Sequence, residues 1–413
     1  MAFEIPTTLV SLDLRAPLYM ALQTIIAATL ICSTPRDSIL RVASLPLFIY
    51  LMLQSWEAAA AFTGQGVLYS FWWVGPYANI FHCMNNMVLH PLDSDDIHLE
   101  MRKWEKKPLK PAGASLLNRI IFTTATLFSY RGINTTWQIG YVPEFPGNVI
   151  PTRARFLFRQ CWMIALQYLI MDVLASSPPP ADVVESWANG KEWLWLSLNP
   201  HRVTTGDLFN RLVGCTMNWF IVGRVMNDIW YRVFSVIFVG LGLSQPKQWP
   251  PLYGNYADTF TLRRYFGRFW HQTVRWPFLG VATYISRRVL GMTKGVADQH
   301  TRNFIVFFLS GTLHSILYVA FGGSWNPAAG LISFCSFPLG IMFEDAVQSV
   351  WRRSMGRSDS NKVWFMERAV GHVWVVIFLS LVSPIFNYPL QRIEGNPTYL
   401  VPWSVVHNIK EFI

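Results

Sequence analysis

His314 stands in NFIVFFLSGTLHSILYVAFGG, residues 303–323, a run that is otherwise apolar. Counted from a cytosolic end near Asn303, eleven residues at about 1.5 Å each place it about 16 Å deep. That is roughly the middle of a bilayer. An ionisable side chain there is costly and marks a functional site by default. Ser310 and Tyr318 lie four residues to either side, on the same helix face, and Gly311 lies three before. The face beside the imidazole is therefore polar and small, open to a substrate. Position alone leaves two readings, a catalytic base or a buried histidine bonded to a neighbouring helix.

A second stretch, TLRRYFGRFWHQTVRWP at 261–277, mixes Arg263, Arg264, Arg268 and Arg275 with Tyr265, Phe266, Phe269, Trp270 and Trp276. Guanidinium groups pair with phosphates, and the aromatics suit a flat ring or the headgroup level. The same composition also makes an interfacial anchor. The other histidines carry less. His372 pairs by spacing with Arg368, and His98 follows the acidic cluster Asp93, Asp95 and Asp96, which reads as a solvated loop. Arg224, Asp228 and Arg232, at four-residue spacing, read as an intrahelical ion-pair ladder. Asn227-Asp228 lacks the further carboxylates that a magnesium diphosphate needs. Neither a G-x-S-x-G elbow nor a phosphate-binding G-x-x-x-x-G-K-[ST] loop occurs, and the scattered cysteines show no zinc spacing.

These groups need elements to hold them. The 413 residues are 52% hydrophobic and only 14% charged, against roughly 25% charged for a soluble domain. With a mean hydropathy of +0.27, the chain has too little charge to cover itself in water. A soluble enzyme and a disordered chain are both excluded. Eight apolar runs are long enough to span: 18–32, 42–61, 67–89, 156–175, 208–243, 304–321, 328–350 and 370–386. The third carries Gly75-Pro76, a predicted kink, and the fifth is one tilted helix or two shorter ones. The net charge of +10 reads as positive-inside bias rather than nucleic-acid binding, because it gathers at 101–111, 245–302 and 351–362. Crossing the fifth run once puts all three on one side, the cytosol, with both termini lumenal. The first run has no basic flank and is not read as a cleavable signal. The proline-rich 177–180 reads as a lumenal turn. No tandem repeat interrupts the chain, so 1–413 is read as one membrane domain.

FGRFWHQ at 266–272, followed about forty residues on by SGTLHS at 310–315, resembles the wax-synthase-like branch of the membrane-bound O-acyltransferases. Asp258 upstream and RGINTTW at 131–137 fit the same pattern. The chain is most similar to fungal members that acetylate hydroxyls of terpenoids and meroterpenoids. The resemblance covers 131–386 as the acyltransferase core. The N-terminal helices of 1–130 are less diagnostic and read as shaping the acceptor pocket, and 387–413 is a tail.

The resemblance implies an all-α polytopic membrane protein with about eight transmembrane helices around a buried reaction tunnel. It implies acyl transfer from a CoA thioester to an alcohol, with His314 as the active-site histidine and 266–272 near the thioester. Plant members carry Asn where this chain has His271, which leaves that residue's part in catalysis open. On this reading a neutral His314 takes the acceptor's proton, and Ser310 or Tyr318 orients the ring or assists the oxyanion. Arg263, Arg264, Arg268, Trp270 and Gln272 meet acyl-CoA, and a lipophilic alcohol enters from the bilayer. The expected cosubstrate is acetyl-CoA, with no metal and no bound cofactor, in the endoplasmic reticulum membrane. A long-chain acyl-CoA with a fatty alcohol, giving wax esters, is the alternative enzyme; a polytopic transporter is the alternative class.

Overall fold

A computed structural model describes residues 14–63, 67–104, 115–176, 179–193, 203–355, 365–393, 401 and 403–412. The acidic residues Glu4 and Asp13, the lysines of 106–110, Ser177 and Pro178, and 356–362 lie outside the described residues. Among those described, every regular element is helical. In hydrocarbon the backbone must satisfy its own polar groups, and helices do so within one segment.

Six helices are long and apolar enough to cross a membrane: Arg15–Ser33, Ile39–Phe62, Arg153–Ala175, Val296–Ala320, Pro327–Ser354 and Phe365–Val382. They coincide with six of the eight expected runs. The other two runs are helical and each passes through a π segment. In 67–89 the helix Phe71–Met84 continues through Pro76 and changes its bonding at Asn85–Leu89, where the His90 amide reaches back to the Asn85 carbonyl at 2.7 Å. In 208–243 a continuous helical run joins Thr205–Met217 to Gly223–Gly240 through a wider π turn at Asn218–Val222. Thr204 and Asp207 cap its start reciprocally. At 1.5 Å per residue it is about 54 Å long, so it must tilt or project beyond a hydrocarbon core of about 30 Å.

The helix carrying His314, Val296–Ala320, forms an antiparallel hairpin with Pro327–Ser354. Glycines let the two backbones touch. A Cβ on Gly330 would lie 2.6 Å from the Gly311 carbonyl oxygen and 2.4 Å from Ser315 Oγ. Small residues four apart allow this close approach in membranes. The histidine helix starts two turns before the expected apolar run. Asp298, in its first turn, pairs with Arg287 and Arg302, and such polar turns are invisible to a hydropathy window.

At one end of the bundle the connecting segments tie together. Arg131 donates to the carbonyls of Pro250 and Pro251, both at 2.8 Å. Asn134 Nδ2 donates to the Lys247 carbonyl at 3.5 Å, and the Thr136 amide donates to Glu100 at 3.1 Å. Loops 131–141 and 245–251 and the helix Ser94–Trp104 therefore share one face. Elsewhere Arg392 pairs with Glu192, and Lys191 with Asp207.

Candidate active site

His314 borders a partly open cavity of about 1470 Å³, against roughly 300–1,000 Å³ for a pocket holding one drug-sized ligand. Its Nδ1 lies 2.7 Å from the main-chain carbonyl of Ser310. A carbonyl only accepts, so Nδ1 carries the hydrogen, and in the neutral ring the lone pair sits on Nε2. The ring stacks on Phe334, with centroids 3.8 Å apart and planes at 26°, and meets the edge of Phe386 at 5.4 Å. These contacts fix its plane from two further helices.

Ser310, one of the two expected supporting residues, borders the cavity with His314. Ser310 orients the ring through its backbone rather than its side chain. Tyr318 is not among the residues lining the cavity; its ring covers Gly323, where a Cβ would fall 2.3 Å from Cε1. Its neighbours Leu317 and Phe321 border the cavity in its place.

The second block is built as a turn that swings its aromatic and basic residues inward. Thr261 Oγ1 accepts from the Arg264 amide at 3.0 Å and starts the short helix Leu262–Arg264. A π turn follows at Tyr265–Phe269, closed by the Trp270 amide donating to the Tyr265 carbonyl at 2.7 Å. The chain then turns extended at Trp270, and His271 enters the cavity wall. Buried Glu344 holds the start of this turn: it accepts from the Leu262 amide at 2.7 Å and from Trp374 Nε1 at 3.1 Å. His271 lies in the loop, outside the six membrane-length helices. Burial, with His314 nearby as a smaller cause, pushes its imidazole down to about 3, so the ring is neutral at physiological pH.

Of the residues expected to meet acyl-CoA, all five border the cavity, but their charges are not equally free. Arg263 is paired with Asp345 and Arg264 with Asp258. Arg268 lies over the Tyr141 ring, 4.5 Å from its centroid. Trp270 packs edge-on against Trp219 at 4.8 Å. Gln272, buried, donates to the Tyr141 carbonyl at 2.8 Å.

Elsewhere the spacing-based pairings are revised. His372 shares a hydrogen bond with Thr259 at 3.1 Å, while Arg368 lies over Phe260 instead. Asp228 pairs with Arg232 and accepts from Gln167, but Arg224 turns to Tyr256. Asp93 and Asp96 pair with Arg36. Phe334, Phe386 and Glu344 escaped sequence reasoning. The two phenylalanines are indistinguishable from their apolar neighbours. Glu344, a carboxylate inside the run 328–350, carried the same intramembrane signal as His314.

A helical bundle of membrane-crossing length, with one large cavity that two imidazoles border, defines a polytopic membrane enzyme. The sequence model of the membrane bound O-acyl transferase family matches residues 249–337, which contain the π turn, His271 and His314. The chain is 32% identical to acetyltransferase atnC of Arthrinium sp, covering 95% of this chain and 91% of that one. It is 31% identical to acetyltransferase pyr8 of Aspergillus fumigatus, covering 98% and 93%. It is 34% identical to acetyltransferase ataH of Aspergillus terreus, covering 73% and 98%. No solved structure matches it. The chain belongs to the membrane-bound O-acyltransferase family.

Proposed function

We propose that this enzyme transfers the acetyl group of acetyl-CoA to a hydroxyl of a terpenoid or meroterpenoid in fungal secondary metabolism, with His314 as general base. One observation carries the reading: the Ser310 carbonyl fixes the tautomer that leaves Nε2 basic beside the cavity. Nε2 takes the acceptor's proton as its oxygen attacks the thioester carbonyl. A C–O bond forms and a tetrahedral oxyanion results. Neutral His271, on the wall of the same cavity, offers a ring N–H to that oxygen. Collapse breaks the C–S bond, and the His314 imidazolium returns the proton to the departing thiolate. Donor and acceptor enter separately, the donor from the basic cytosolic end and the acceptor from the bilayer side. The N-terminal helices support an acceptor lobe, since Met20, Phe71 and Gly75 line the cavity with Trp230 and Phe234. The relatives' names support acetyl over longer chains, and the membrane-length helices support residence in a membrane, here proposed to be the endoplasmic reticulum.

The test is microsomes expressing the chain, given labelled acetyl-CoA or palmitoyl-CoA with a panel of hydroxylated terpenoids and a fatty alcohol. Label moving from acetyl-CoA into terpenoid ester is the expected result. Palmitate moving to the fatty alcohol in its place would make the enzyme a wax ester synthase.

A further inference from the structure

Tyr141 is a backbone outlier that the surrounding structure over-determines. Its φ is +61°, a left-handed conformation uncommon for a bulky side chain. Such geometry persists only where neighbours enforce it, and it gathers at ligand sites. Here Gln272, 1% exposed, grips the Tyr141 carbonyl at 2.8 Å. Arg275 Nη1 bonds the carbonyls of Gly140 at 3.3 Å and Gly267 at 2.8 Å. The result is a tyrosine ring that is 61% exposed yet borders the cavity, with the guanidinium of Arg268 at 4.5 Å and that of Arg275 at 5.8 Å from its centroid.

Charge separates these two arginines from their neighbours. Arg263 and Arg264 are each neutralised by a carboxylate. Among the described residues, no carboxylate pairs with Arg268 or Arg275. Two uncompensated guanidiniums held against one ring repel each other, and an anion that accepts from both relieves this. Phosphate, with several acceptor oxygens, fits forked guanidinium donors best.

We propose that Tyr141, Arg268 and Arg275 form the subsite for the phosphate-bearing nucleotide end of the acyl donor, an assignment that rests on acyl-CoA being that donor. Tyr141 and Gln272 are positioning residues here: they hold the two guanidiniums in place. Arg263 and Arg264 serve the fold of the turn instead.

The test compares acetyl-CoA with acetylpantetheine, which keeps the thioester and lacks every phosphate. The full chain is assayed in phosphatidylcholine vesicles with and without phosphatidylserine. The readout is the ratio of kcat/KM for the two donors. Arg268→Ala and Arg275→Ala should each lower the wild-type preference for acetyl-CoA about tenfold or more, the size of one charge-assisted hydrogen bond. Tyr141→Phe should keep the preference. Tyr141→Gly relaxes the backbone but removes the ring, and should lose several-fold of the preference; a purely structural turn would tolerate it. If the arginine variants fall equally with both donors, the assignment is overturned. An equal fall that also follows phosphatidylserine content would make the anion a lipid headgroup. A wild-type chain that turns over neither donor would sink the acyltransfer reading itself.

Discussion

The tautomer of His314 is set by a main-chain carbonyl, not by the hydroxyls beside it. The carbonyl survives any side-chain change at Ser310, so Ser310→Ala should preserve the ring's tautomer and cost little turnover in a microsomal assay. Removing the imidazole should cost far more. His314→Ala should lower kcat by about a hundred- to ten-thousandfold, the usual worth of a general base, while the protein still accumulates in membranes. His314→Gln keeps a hydrogen bond without basicity and should fare little better. A well-expressed His314→Ala with near-normal turnover would return the residue to a structural part. His271→Asn keeps an N–H donor of similar reach and should retain part of the activity. His314 was legible in the sequence because an ionisable group in an apolar run has few innocent explanations. The Ser310 carbonyl was not, because every residue carries one. Phe334 was not, because stacking on a ring a helix away leaves no mark on local pattern.

Among the elements, the two expected spans that depart from simple helices both line the cavity. Runs 67–89 and 208–243 each contain a π turn. Side chains such as Asn85, which bonds the carbonyls of Trp276 and Pro277, lower the hydropathy that would mark a lipid-facing helix. Long apolar helices were therefore legible from composition, and those broken by polar side chains and a π turn only in outline. The turn carrying His271 depends on Glu344. Glu344→Ala strands the Leu262 amide and should cost about 1–3 kcal/mol, read as a lower Tm in detergent together with a lower kcat. Glu344→Gln keeps an acceptor and should recover most of both. At the hairpin crossing, Gly330→Val would place carbon within 2.6 Å of the Gly311 backbone. It should force the helices apart, and the yield of folded protein from membranes should fall sharply.

Over the whole molecule, the helix Ser94–Trp104 and the loops 131–141 and 245–251 meet at one end. Asn134 belongs to that end through its bond to the Lys247 carbonyl. It is also the only N-x-[ST] sequon with a permitted middle residue. If that end faces the cytosol, Asn134 stays unmodified in a eukaryotic host; an endoglycosidase-sensitive glycan there would invert the orientation. The chamber that both imidazoles border has a kinetic consequence as well. On the proposed mechanism the base on its wall takes its proton directly from the alcohol, so the alcohol and the thioester must occupy the chamber together. Initial-rate plots at varied concentrations of both substrates should then give intersecting lines rather than parallel ones. Without an alcohol, the enzyme should not exchange labelled free CoA into acetyl-CoA.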